Sequence, residues 1–166
     1  MNGFTEPRAS GASEQPGQGD QIMTWGASQA MLPLVGRIVT DIVDNHRRNV
    51  KLQPELTRLE RRKRTLNWPE RSRRYAIQEE LIVLGQQMQG HLAELTGLGM
   101  VLLDPSFGLV GFPTVVNERK AFFSWKPGEE GLKFWNFAEE TERQPVPEHW
   151  TKPIREAGWS RYRPKG

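Results

Sequence analysis

The chain has 166 residues, a net charge of +3, 36% hydrophobic and 26% charged residues, enough for one ordinary domain with soft ends and too apolar for wholesale disorder. Zero cysteines exclude disulfides, thiolate metal sites and thiol nucleophiles. No run approaches the roughly 20 apolar residues of a membrane span, and the first residues lack the basic-then-apolar order of a signal peptide, so a cytoplasmic protein without a membrane partner is expected.

Residues 1–22 are rich in Gly, Ser, Pro, Gln and Glu, with Phe4 and Ile22 as their sizeable apolar groups. Such a segment buries too little to offset the entropy of ordering it, and a disordered arm is expected. A single domain should follow over residues 23–145. Its first helix, about 25–65, opens at Thr24 as N-cap and carries Met31, Val35, Ile38, Val39, Ile42 and Val43 at helical spacing. Pro33 should kink it or start its main segment. Leu52, Leu56, Leu59 and Leu66 continue a seven-residue rhythm that Pro54 interrupts, which leaves open whether the helix is broken near Gln53 or continuous through Pro54.

Asn67-Trp68-Pro69-Glu70 is a restart, with Asn67 or Trp68 at the cap and Pro69 in the first turn, where its missing N–H costs nothing. The second helix, about 69–98, bears an apolar stripe of Ile77, Leu81, Leu84, Met88, Leu95 and Leu98 suited to coiled-coil-like packing on the first. Gly97 and Gly99 supply its stop. The pattern then changes to short β-rich runs over about residues 100–138, separated by turn chemistry at Asp104-Pro105-Ser106, Asn117-Glu118 and Pro127-Gly128. The fold class expected is therefore α+β: a long antiparallel helical hairpin packed on a small three- or four-stranded antiparallel sheet. Residues 146–166, rich in proline and in basic and aromatic residues, should form an extended tail.

Within that frame the chain resembles an uncharacterised bacterial family, domain of unknown function 2203 (DUF2203). The residues that carry the likeness are Leu32-Pro33-Leu34-Val35, Ile38-Val39 and Asp41-Ile42-Val43, then Leu98-Gly99, Asp104-Pro105 and Gly108-Leu109-Val110-Gly111-Phe112-Pro113. Trp125-Lys126, Gly128-Glu129, Phe134-Trp135 and Arg143-Gln144-Pro145 complete them, so the likeness covers about residues 23–145 in consistent order. It implies architecture and no reaction. In sequences of this kind the residue after the second Trp is usually His, where this chain has Asn136, and Cys is common where it has Ser124.

Three histidines are present. A hairpin turning near residues 66–68 would bring His46 opposite about position 88, one helical turn from His91. Asp41, Asp44, Glu79 and Glu94 are near enough in sequence to complete an oxygen-and-nitrogen metal set, but no diagnostic spacing of the H-E-x-x-H kind occurs, and partly buried structural histidines explain the positions as well. Asp104-Pro105-Ser106-Phe107-Gly108 reads as a turn, and Ser106, Ser124 and Thr114 have no companion His close in the chain. No catalytic residue and no cofactor are assigned.

Charge is the remaining signal. Residues 46–74 hold eleven Lys and Arg against three Glu, a local charge of +8, which leaves −5 for the rest. Arg61, Arg62, Arg64, Arg71, Arg73 and Arg74, with Trp68 among them, could meet phosphates and stack on bases, or face an acidic protein, or form a solvated helix face. The reading is a non-enzymatic interaction protein that presents a basic hairpin tip to an acidic partner and can pair with a second copy through the hairpin. Its rivals are a nucleic-acid-binding protein and a metal-dependent enzyme or regulator centred on His46 and His91.

Overall fold

In a computed structural model, residues 22–152 are described. The expected N-terminal arm, apart from Ile22, and the last 14 positions of the expected tail lie outside them.

Two long helices lead the chain: α1, Trp25–Arg61, and α2, Trp68–Gly97. Thr24 caps α1 by accepting from the Ala27 amide at 3.2 Å. At α2 the Asn67 side chain accepts from the Glu70 amide and the Glu70 carboxylate accepts from the Asn67 amide, each at 3.0 Å, a reciprocal capping box. The far end closes on Gly99, whose φ of +80° lets the Met100 amide reach back to the Leu95 carbonyl at 3.1 Å. No helix among the described residues is long and apolar enough to cross a membrane.

The break left open near Gln53 does not occur. Pro33 and Pro54 both lie inside an uninterrupted α1. Each is exposed, so the carbonyl that loses its helical donor faces water, while buried Leu52 and Leu59 hold the helix on either side of Pro54.

After α2 the chain runs as an antiparallel meander of five neighbouring strands: β1 Val101–Asp104, β2 Leu109–Val116, β3 Arg119–Trp125, β4 Phe134–Phe137 and β5 Gln144–Pro145. Asn117 and Glu118, with φ of +50° and +62°, make the two-residue turn between β2 and β3, where positive φ at both positions matches the strand twist. The strand count exceeds the expected three or four because β5 is two residues long, too short to leave an alternating pattern. Behind β5, a single turn α3, Glu148–Thr151, seats Trp150 edge-on to Phe123 and 5.3 Å from Trp135. Residues 146–152, expected as extended tail, are thus docked by aromatic packing.

Two cores result. One lies between hairpin and sheet, where Val35, Val39, Ile42 and Leu95 meet Val110, Phe112, Phe123, Trp125 and Trp135. Gly108 shows how close the layers come: with φ at +70°, a Cβ there would stand 2.6 Å from Val39 and 2.8 Å from Val43. The second core, Leu52, Leu59, Leu66, Ile77 and Leu84, belongs to the hairpin alone. Beyond about His46 the two helices have only each other, and this distal arm reaches roughly 25 Å.

Candidate functional site

Cross-links between the helices fix the register of the arm. Asn45 Nδ2 donates to the Leu84 carbonyl at 3.0 Å, Arg48 chelates the Glu80 carboxylate, and Arg73 chelates Glu55 at 2.8 and 2.9 Å. Position 46 therefore faces about position 82, and His91 lies nine residues farther, about 13 Å along the axis. The expected approach of His46 to His91 fails because the chain turns around residues 62–66, earlier than the assumed 66–68. Among the described residues no group of three or more His, Asp or Glu could hold a metal ion.

His46 has a different neighbour: its Nε2 lies 3.4 Å from Ser106 Oγ in the turn between β1 and β2. Sixty positions separate the two, so sequence spacing could not show the approach. Asp104 does not orient the imidazole, because its Oδ1 accepts from the Ser106 amide at 2.8 Å and closes the turn. An exposed serine–histidine contact without an orienting carboxylate lacks the geometry of nucleophilic catalysis.

The basic residues divide into two sets. Arg73 and Arg74, expected among the ligand contacts, are held by carboxylates: Arg73 by Glu55, and Arg74 by Glu60 at 2.7 Å. Arg71 donates its Nε to the Leu66 carbonyl at 3.0 Å and joins no ion pair among the described residues. At the turn itself Arg61, Arg62, Lys63 and Arg64 are all exposed. Arg62 stands 3.6 Å from Glu70, whereas the side chains of Arg61, Lys63 and Arg64 make no hydrogen bond or ion pair among the described residues. Trp68, in the first turn of α2, is 76% exposed.

A partly buried polar cluster lies at the opposite end of the molecule, on the outer side of the sheet. Arg143 chelates Glu129 at 2.6 and 2.8 Å, donates its Nε to Ser124 Oγ at 2.9 Å and stacks 4.5 Å from the Phe134 ring centre. Trp125 Nε1 donates to the Glu129 carbonyl at 3.1 Å. Four of the residues that carry the sequence likeness, Trp125, Glu129, Phe134 and Arg143, therefore converge on one ion pair, which ties the strap before β5 to β3 and to the segment between β3 and β4. Its groups satisfy one another, so it reads as a structural latch. Nearby Asn136 is buried and spends its amide on the carbonyls of Phe137 and Glu140, leaving Oδ1 without a partner among the described residues.

Residues 21–146 match the model of a family described as an uncharacterized conserved protein, DUF2203. The chain belongs to the DUF2203 family. No curated protein and no solved structure matches it. Membership accounts for the domain and assigns no reaction to it.

The carboxylates of this DUF2203 arm give it a directional response to acid. Hydrogen bonds from Arg73 to Glu55 and from Arg48 to Glu80 hold both carboxyls below their ordinary value of 4.5. A folded-state pKa below the unfolded one adds stability above the ordinary value that is lost as pH falls through the depressed one. Unfolding midpoints in urea should therefore decline below about pH 4.5, and a Glu55→Gln, Glu80→Gln double variant should decline less. Equal declines for both proteins would show that these pairs add nothing, as exposed pairs often do.

Proposed function

We propose that the protein is a non-enzymatic interaction protein whose helical arm presents the cations of its tip, Arg61, Arg62, Lys63 and Arg64, to an acidic protein partner in the cytoplasm. The supporting observation is the division of charge along the arm. Arg48, Arg73 and Arg74 are spent on Glu80, Glu55 and Glu60, whereas the four consecutive tip cations are exposed and the side chains of three of them lack any partner among the described residues. A charge cluster that its own helix pair could have neutralised, and did not, is suited to steering an oppositely charged surface. The absence of cysteine fits a reducing compartment.

The test uses a fluorescent polyglutamate peptide and a single-stranded oligonucleotide at low salt. Binding of the peptide should weaken as salt rises and should disappear in an Arg61→Gln, Lys63→Gln, Arg64→Gln variant whose helicity is unchanged. Peptide binding indifferent to those substitutions would overturn the reading. Selective binding of the oligonucleotide, with log affinity falling by about 0.7 per phosphate against log salt, would transfer the tip to nucleic acid.

A further inference from the structure

Between the last two turns of α1 and the first two of α2 the arm holds a cleft of about 380 Å³. Three guanidiniums line it, and they are not equally engaged. Arg73 is committed to Glu55 by two hydrogen bonds. Arg62 stands 3.6 Å from Glu70, beyond hydrogen-bond length, and that carboxylate already accepts the Asn67 amide. The Arg58 side chain makes no hydrogen bond or ion pair among the described residues. Arg58 and Arg62 are four positions apart, one turn of helix, where like charges repel and destabilise the helix that carries them. Two cationic forks thus line one cleft with their donors unspent.

We propose that this cleft takes the carboxylate of a glutamate side chain from the acidic partner, gripped by the forks of Arg58 and Arg62. That assignment rests on the acidic-partner reading and places the grip one turn back from the exposed tip. A guanidinium binds a carboxylate through two parallel N–H···O bonds, and a negative charge between Arg58 and Arg62 turns their mutual repulsion into attraction. Leu59 and Pro69 line the same cleft and give the methylenes of a glutamate an apolar wall. Glu55 and Glu70 also line it and limit the charge it admits. One negative charge enters beside two resident carboxylates at less cost than the nearly two of a phosphate monoester. The tip cations then act at long range, drawing the partner in, while the cleft sets how long it stays.

The probe is the fluorescent polyglutamate peptide, read by anisotropy against the full-length protein at low salt, with helicity checked for every variant. Arg58→Gln should weaken binding about tenfold, the loss of a charge-assisted hydrogen bond. Arg58→Lys should recover little of it, because an ammonium keeps the charge and lacks the fork. Glu55→Gln should tighten binding several-fold by freeing Arg73 and removing a resident charge. Glu80→Gln removes the same charge and frees Arg48 outside the cleft, so it should change little. At matched ionic strength butyrate, which mimics the glutamate side chain, should displace the peptide better than inorganic phosphate. Full recovery by Arg58→Lys, equal effects of Glu55→Gln and Glu80→Gln, or better displacement by phosphate would each overturn the cleft. The tip has its own variant, so the two readings fail separately. Binding lost in the Arg61→Gln, Lys63→Gln, Arg64→Gln protein but kept by Arg58→Gln strikes the cleft alone, the reverse strikes the tip alone, and a wild-type protein that ignores the peptide strikes both.

Discussion

Replacing Leu84 by Ala should lower the unfolding free energy by about 2–5 kcal/mol, read from urea denaturation followed by helicity. Leu84 is 9% exposed and belongs to the core that the two helices share beyond the sheet. Its backbone carbonyl also accepts the Asn45 side-chain amide, which fixes the register at the level where the sheet's support ends. Shortening the side chain removes transfer energy and leaves a cavity with only one facing layer to fill it. That layer is α1, tied to Leu84 by the Asn45 bond and to its neighbourhood by the Arg48–Glu80 pair. The arm has no third layer in the monomer, so the loss should fall on the distal helices first, with amides between about 52 and 77 exchanging faster than those of the sheet. A loss below about half a kcal/mol would mean that this seam is not a core.

How much of this was legible in the sequence depends on whether the cause was local. Thr24, the Asn67–Glu70 box and Gly99 each act through backbone groups within five residues, so the start of both helices and the end of α2 could be read directly. The β2–β3 turn at Asn117-Glu118 was equally local. Pro54 left two outcomes open because its effect depends on its surroundings: on the exposed side of a helix clamped by Leu52 and Leu59, a lost hydrogen bond is tolerated. The basic segment was less legible still, since composition counts charges without pairing them. Arg73 and Arg74 find Glu55 and Glu60 on the other helix, 18 and 14 residues away, and only the register of the hairpin decides this. An error of a few residues in the turn likewise moved His46 away from His91 and left Ser106 as its neighbour. The likeness named Glu129, Phe134 and Arg143 without saying why such residues recur together, because their meeting is set by strand pairing and a returning strap.

That meeting supports the second large effect. Arg143→Met should destabilise the fold by about 3–5 kcal/mol, because it strands a carboxylate that is 13% exposed and removes the donor to a fully buried serine. Glu129→Leu should cost a comparable amount by leaving the guanidinium, 20% exposed, without its counter-charge. The Arg143→Met, Glu129→Leu double variant should recover much of the loss, since a buried ion pair replaced by apolar groups of similar size is often close to neutral. Arg143→Lys should not rescue. One ammonium cannot chelate both Glu129 oxygens while bonding Ser124 Oγ and its carbonyl, and it lacks the planar face that stacks on Phe134. The quantity to measure is the coupling energy from the four urea curves of the cycle. Strong coupling, above about 2 kcal/mol, would identify the cluster as the latch that holds β5 and the aromatic turn of Trp150 against the sheet. Losses that simply add would mean that water already screens the pair, and that the strap before β5 is held by Phe134 and Trp135 packing instead.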